Sequence, residues 1–282
     1  MPVLAAPSQL LGFRSGCLNQ TEADEQMNGF SLSTVIITKN EESNIDDCLR
    51  SVRWVDQIVV VDAESTDRTP ERARHYTPIV MVRQWEGYGP QKNFGILQAT
   101  GDWILILDAD ERVSPELAKE IQTRLTTWTS GDPVAFCVSR RNVFYGEWVR
   151  WGGAYPDLQI RLFQKGKAIY NDVEIHENLI VDGPIGNLKG HLEHYTERRI
   201  VDHFKKFSLY ITLAAKEQAK STAKVHWWNL LLNPLVTFSK KYCLKQGFRD
   251  GIRGIIYAGF ASMYTFGKYA MLFELRCASD NN

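Results

Sequence analysis

The chain has 282 residues, 44% of them apolar and 23% charged, with a formal net charge of zero. That composition excludes a disordered or low-complexity polymer and gives one large α/β domain plus a smaller appendage enough material for a core. Five scattered cysteines, odd in number and without a C-x-x-C, argue against a disulfide framework or a zinc knuckle and for a reducing cytoplasm. The neutral total hides an asymmetry: from Arg198 to Arg276 there are 14 Lys or Arg and 4 Asp or Glu.

Residues 1–29 show no secretory pattern, and the polar stretch Ser15 to Gly29 reads as a disordered tail, with Met27 a candidate start. Ser33 to Thr38 then reads as a buried strand, Glu42 to Val52 as a helix, and Val55 to Asp62 as a strand. A helix follows over Thr66 to Tyr76, a strand over Pro78 to Arg83, and a helix over Pro90 to Ala99. Trp103 to Asp108 is a strand; Ser114 to Thr127 is a helix opened by a Ser cap and a Pro at its first position. Short apolar runs alternating with helices predict a mostly parallel, doubly wound α/β sheet, with its ligand site at the carboxyl ends of the strands. From Pro133 the pattern changes to short strands and aromatic loops, and after His203 it becomes helical. The expected division is a tail over 1–29, a catalytic domain over 30–200 and a basic, aromatic helical extension over 201–282.

Carboxylates fall where that fold expects a ligand. Asp62 ends the second strand, where it can bind a base or a sugar or cap the following helix; Asp67 is open in the same way. Asp108-Ala109-Asp110 follows a buried strand, and alternating carboxylates on a tight turn suit Mg²⁺ or Mn²⁺. Such a metal would bridge a diphosphate and neutralise the leaving group. No G-x-G-x-x-G follows the first strand and no P-loop occurs, which counts against a dehydrogenase or a P-loop kinase.

The ordered motifs TVIITKNEE, VVVDAESTDRT, QKNFGI and ILILDADE resemble glycosyltransferase family 2. RLFQKGKAIYNDVEIHENLIVDGPIGNLKGHLEHYTER and the later FSKKYCLKQGFRDGIRG resemble the lipopolysaccharide core β-1,4-glucosyltransferase subgroup. The resemblance implies a GT-A fold and a UDP-sugar donor. It places Thr38, Glu41 and Asp62 around uridine, Lys92 near the nucleotide or diphosphate, and Asp108 on the ribose or metal. It gives Asp110 and His194 to the metal and Glu177 to the catalytic base.

Chemistry supports Glu177 separately, because an inverting transfer needs one ionised carboxylate beside the acceptor hydroxyl. Asp157 is the second candidate. Arg161 can hold a phosphate or form an ion pair within the sheet. His176, His191 and His194 raise a three-histidine zinc alternative. Trp148, Trp151, Gly152, Gly153 and Tyr155 suit a sugar platform or a packed loop.

In the tail, Trp227, Trp228, Phe238 and Tyr242 accompany Lys240, Lys241, Lys245 and Arg249. That mixture predicts peripheral attachment to an anionic membrane surface, at the cytoplasmic face of the inner membrane, or packing on the catalytic domain or on a second subunit. No nucleic-acid motif accompanies it, so nucleic acid is not an expected partner. The expected function is metal-dependent, inverting transfer from a UDP-sugar to a hydroxyl of a saccharide or lipid-linked acceptor. The alternatives are a polyprenyl-phosphate glycosyltransferase and a non-catalytic nucleotide-sugar-binding protein.

Overall fold

The computed structural model describes residues 29–171, 178–196, 200–220 and 225–280. Strand β1 (Leu32–Thr38) is buried along its whole length and lies between β2 (Gln57–Asp62) and β4 (Trp103–Asp108), parallel to both. β3 (Val80–Val82) adds a fourth parallel strand at the edge of β2. The helices between them are α1 (Ile45–Ser51), α2 (Thr69–Ala73) and α3 (Tyr88–Gln98).

Because successive strand residues face opposite ways, β1 feeds two cores. Ile36 joins Ile45 and Leu49 of α1 on one face, whereas Val35 and Ile37 join Val59, Val61 and Ile106 on the other. On that second face α3 comes close because residue 95 is glycine: a Cβ there would stand 2.3 Å from Val35 Cγ1. Helix α4 (Pro115–Thr127) covers the first face with Leu117, Ile121 and Leu125. The predicted cap is present, since Ser114 Oγ accepts the Leu117 N–H at 3.2 Å.

The sheet continues past β4 with different pairing. β5 (Glu111–Val113), β6 (Ala135–Phe144), β7 (Glu147–Trp148), β8 (Asp157–Gln164) and β11 (Ile185–Tyr195) complete nine strands in the order β3-β2-β1-β4-β8-β6-β11-β5, with β7 on β6. β8 is antiparallel to both β4 and β6, and β11 is parallel to β6 but antiparallel to β5. The parallel half is the one with helical crossovers. Beyond it β8, set between β4 and β6, runs antiparallel to both of them. A separate hairpin pairs β9 (Ala168–Tyr170) with β10 (Leu179–Val181).

Three long helices end the chain: α5 (Ile200–Ala219), α6 (Trp227–Ser239) and α7 (Gly251–Asp280). α5 meets α7 at Gly267, where a Cβ would stand 2.5 Å from Ile211 Cδ1. α6 carries Pro234 inside it, and the Pro234 carbonyl accepts the Ser262 hydroxyl of α7 at 2.9 Å. A π-turn (Lys240–Leu244) and a 3₁₀ turn (Gly247–Asp250) join α6 to α7. Among the described residues no helix is long and apolar enough to cross a membrane.

Candidate active site

The carboxyl ends of β1, β2 and β4 open on one edge of the sheet, and two loops there are stitched together. Asn40 takes a left-handed backbone (φ 54°), its N–H donates to Ser65 Oγ at 2.8 Å, and its Oδ1 accepts the Thr66 N–H at 2.8 Å. The Glu41 N–H donates to Thr69 Oγ1 at 2.8 Å and the Glu42 N–H to Asp67 Oδ2 at 3.2 Å. Asp62 is wholly buried, and its two oxygens accept the Ser65 N–H at 2.8 Å and hydroxyl at 2.6 Å. Asp62 and Asp67 therefore both brace the turn. This also shortens the predicted helix at 66–76, because residues 65–68 are engaged across the loops instead. Thr38, at the end of β1, keeps a buried hydroxyl with no hydrogen-bond partner.

A ladder of buried charge crosses the sheet beside these loops. Lys92 Nζ stands 3.4 Å from Asp108 Oδ1, and Asp108 Oδ2 accepts from Arg161 at 2.7 Å. Arg161 also donates to Glu111 at 2.5 Å, Glu111 pairs with Arg140 at 3.4 Å, and Arg140 reaches Asp157 at 2.7 Å. The order Lys92–Asp108–Arg161–Glu111–Arg140–Asp157 alternates in sign throughout. Burial alone would push the Asp108 carboxyl up, but Arg161 and Lys92 outweigh it and hold it well below the usual carboxylate range. Asp157 follows the same balance: burial raises it, while Arg140 and the hydrogen bonds from Gln159 and Asn142 bring it below its ordinary value.

The second carboxylate of the D-x-D turn has a different partner. Asp110 Oδ2 is 3.4 Å from His194 Nε2. Strand register brings this about: in β11, His194 lies opposite Glu111 of β5 on one side and Asn142 of β6 on the other. Asn142 Nδ2 donates to the Ala154 carbonyl at 3.1 Å, which turns its Oδ1 to His194 Nδ1 at 2.7 Å. An acceptor at Nδ1 fixes the proton there and leaves the Nε2 lone pair aimed at Asp110 when the ring is neutral. Burial would lower the His194 pKa, yet Asp110 and Glu111 bring it above its ordinary value.

The aromatic loop is held from below by the C-terminal segment. Asp250 accepts the Trp151 N–H at 2.7 Å, the Gly152 N–H donates to the Lys245 carbonyl at 2.8 Å, and the Arg249 guanidinium lies 3.9 Å over the Trp151 ring. Gly152 and Gly153 both take positive φ, and a Cβ on Gly153 would strike the Lys245 side chain at 2.6 Å. Trp148 and Tyr155 meet edge to face at 5.3 Å. Trp151, Gly152 and Gly153 are thus fixed against the C-terminal segment.

A family model described as glycosyl transferase family 2 matches residues 33–181, more than half of the chain. The chain belongs to glycosyl transferase family 2. Among its relatives is a lipopolysaccharide core biosynthesis glycosyltransferase, LpsC, of Rhizobium meliloti (strain 1021), 30% identical over 250 residues that cover 86% of this chain and 92% of that one. An uncharacterized glycosyltransferase of Rickettsia typhi (strain ATCC VR-144 / Wilmington) is 30% identical over 260 residues, covering 89% of each chain. Solved structures similar to this one include S. aureus TarS 1-349 in complex with UDP-GlcNAc, at 14% identity and TM-score 0.42, covering 88% of this chain and 92% of that one. Glucosyl-3-phosphoglycerate synthase from Mycobacterium tuberculosis with Mn²⁺, UDP and phosphoglyceric acid is similar at 16% identity and TM-score 0.45, covering 70% and 80%. The protein is a glycosyltransferase, built on a large mixed α/β sheet.

Within this glycosyltransferase the structure brings together Thr38, Asp62, Lys92, Asp108, Asp110, Arg161 and His194 at one edge of the sheet. Glu177 and His176 fall in residues 172–177, outside the described residues. His191 and His194 are three apart on β11 and so face opposite sides. His191 lines a groove with Ser114, Glu116 and Lys189, where burial and then Arg141 lower its pKa. That removes His191 from any three-histidine zinc site. The described residues hold no preformed group of three or more metal-ligating side chains, because Asp108 is drawn to Arg161 and Lys92.

Sequence reasoning missed Glu111, Arg140, Asn142 and Gln91. Glu111 is wholly buried, and its only sequence signal is its place one residue after the D-x-D. Gln91, beside Lys92 on the first turn of α3, is wholly buried with neither amide atom hydrogen-bonded. A buried amide of that kind is explained by a ligand or a bound water.

Proposed function

We propose that this glycosyltransferase moves a sugar, with inversion, from a UDP-sugar to a hydroxyl of a saccharide or lipid-linked acceptor in cell-envelope or lipopolysaccharide-type synthesis. The observation that carries the reading is the Asp110–His194 pair, with its tautomer set by Asn142, next to the half-buried Asp108. Those residues fit a hard divalent ion. One carboxylate and one imidazole nitrogen already converge, and Asp108, whose Oδ1 is 3.4 Å from Lys92 Nζ, lies two residues away. Asp110, His194 and Asp108 would hold Mg²⁺ or Mn²⁺, which when bound supplies charge neutralisation for the departing diphosphate. The solved glucosyl-3-phosphoglycerate synthase complex contains Mn²⁺ and UDP, and the TarS complex contains UDP-GlcNAc.

On the donor side, Thr38 offers its unpaired hydroxyl to the nucleotide, as do the amide of Gln91 and the braced loop of Glu41 and Asp62. Lys92 stands over the diphosphate end. Arg161 holds Asp108 in place and keeps one buried Nε–H without an acceptor. Transfer then needs one proton removed. The acceptor oxygen attacks the anomeric carbon and the bond to the β-phosphate oxygen breaks. The electron pair leaves with UDP, and the hydroxyl proton goes to a carboxylate.

Glu177 is assigned that role in preference to Asp157, whose ion pair with Arg140 makes it a weaker base. Tyr155 and Trp148 face the acceptor side, while Trp151, Gly152 and Gly153 fix the loop to the tail. The lipopolysaccharide assignment rests on the likeness to LpsC. Peripheral attachment to an anionic membrane surface rests on the exposed apolar residues of α6, among them Trp227, Leu231 and Leu235.

The deciding experiment is a titration with UDP-sugars in Mn²⁺, in Mg²⁺ and in chelator, for the native protein and for Asp110→Ala. Metal-dependent binding of one UDP-sugar, lost in the variant, is the expected result. Equal binding with and without metal in both proteins would remove the metal assignment.

A further inference from the structure

A second cavity, of about 360 Å³, lies away from the donor edge of the sheet, between α5, α7 and the β6–β7 hairpin. One stripe of α7 lines it, in which Arg253, Tyr257, Phe260 and Tyr264 recur at helical spacing, with Ala261 beside them. Across from that stripe stand His203, Phe207 and Tyr210 of α5. The rings pack on one another: His203 lies 4.0 Å from Phe260 between centroids, and Phe207 lies 6.3 Å from Tyr264. That end of the cavity is therefore aromatic.

The other end is cationic. Lys241, from the π-turn, reaches the Tyr257 hydroxyl at 3.2 Å and the Gly152 carbonyl at 3.5 Å, and no carboxylate pairs with it among the described residues. Burial and then the neighbouring Lys240 push the Lys241 ammonium below its ordinary pKa. Such a cation is under-compensated, and an anion would relieve it. Arg253, one turn before Tyr257, gives one nitrogen to Glu147 at 3.0 Å and keeps a buried Nε–H without an acceptor. Both cations sit on the side of Phe144 and the 150–153 loop, next to the acceptor side of the catalytic domain.

An apolar slot closed at one end by two under-satisfied cations matches one shape of ligand. We propose that this cavity binds an anionic amphiphile, one alkyl chain lying between α5 and α7 and its phosphate-type head group between Lys241 and Arg253. Exposed apolar residues on the same helices, including Phe204, Leu209, Ile252 and Ile255, give such a chain a route from a lipid surface. The site deepens the lipid-linked acceptor reading, on which its purpose rests. Its head-group end adjoins the loop that faces the acceptor, so it would anchor the lipid part while the saccharide reaches the catalytic carboxylate.

The test is calorimetric titration of the full chain with octyl, decyl and dodecyl phosphate below micellisation, with neither donor nor metal present. Affinity should rise about fourfold per methylene, the equivalent of ~0.8 kcal/mol per buried CH₂, and level off once the chain outgrows the cavity. Inorganic phosphate should bind far more weakly. Ala261→Trp, which fills the slot, should abolish dodecyl phosphate binding; Ala261→Leu should weaken it, and thermal unfolding verifies that both variants fold. Lys241→Met should cost about tenfold for dodecyl phosphate and leave dodecanol unaffected.

Unchanged binding in a folded Ala261→Trp would overturn the site. Equal affinity for dodecanol and dodecyl phosphate would overturn the head-group half. Uptake of a dialkyl phosphate from zwitterionic vesicles would identify a membrane lipid as the source, whereas binding of single-chain phosphates alone would identify a free amphiphile. Alkyl phosphate binding that survives in Asp110→Ala, beside failed UDP-sugar binding by the native protein, would sink the transfer reading and leave this site standing.

Discussion

The parallel half of the sheet and the three C-terminal helices bury their side chains in opposite ways. In β1 all seven residues are buried, and Ile36, Val35 and their neighbours are sealed by α1 and α3. In α6 a comparably apolar run leaves Trp227 67%, Leu231 56% and Leu235 63% exposed. Polar groups divide in the same way. The donor edge neutralises its buried charges in a continuous ladder, whereas the cavity under α7 leaves Lys241 and Arg253 partly unanswered. The first region balances its charges within the chain, and the second leaves two cations without a full answer among the described residues.

The sharpest way to break that contrast is at the proposed catalytic carboxylate. Glu177→Gln should keep metal-dependent donor binding and lose about 10²- to 10⁴-fold in transfer rate, the usual worth of a positioned base. Near-normal transfer would return the base role to Asp157, or point to a phosphate acceptor, which needs no proton removed.

Next in size is the ladder itself. Glu111→Ala leaves Arg161 and Arg140 facing each other in the interior and should cost about 3–5 kcal/mol in a denaturant titration. A loss under about 1 kcal/mol would mean that the ladder is solvated and that the self-contained region is not self-contained. The carboxylates also set an acid limit. Asp108 and Asp157 are held below their ordinary values, so their stabilisation is present above the unfolded carboxylate range and is lost as pH falls through the folded values.

How legible each region was follows from the same contrast. The runs of β1, β2 and β4, the Ser114 cap and the D-x-D turn are local features, and the sequence predicts them closely. Glu111, Arg140 and Asn142 gain their roles only through strand register, which sets residues 29 to 52 positions apart side by side. Nothing in their immediate neighbourhood marks them. The predicted helix over 66–76 shrank for a related reason: Asp67 spends its oxygens on Thr69 and on the backbone of Glu42, a partner from another loop. In the tail, composition indicated aromatic and basic helices, but only their packing reveals that Lys241 and Arg253 close one end of a cavity.

A smaller effect tests the proposed metal pair. Asn142→Ala frees the His194 ring and should weaken Mn²⁺ binding about 10- to 100-fold. The pH dependence has a definite sign. The His194 pKa is raised, so its ion pair with Asp110 stabilises the metal-free protein fully below the unfolded histidine value and fades as pH rises through the folded one. Metal needs the neutral ring, so Mn²⁺ affinity should climb over that same upper window. A flat profile would separate His194 from the metal.

The smallest effect on stability should come from the exposed face of α6. Leu235→Ser removes a side chain that is 63% exposed and should change the unfolding free energy by less than about 0.5 kcal/mol. Sedimentation with anionic vesicles at low salt should nevertheless fall relative to the native chain, as the proposed membrane attachment requires. If Leu235→Ser instead destabilises the fold by more than about 2 kcal/mol while vesicle binding holds, that face is covered by protein, either a second copy of the chain or a partner. The contrast between a self-contained sheet and an outward-facing tail would then survive with a protein surface in place of the membrane.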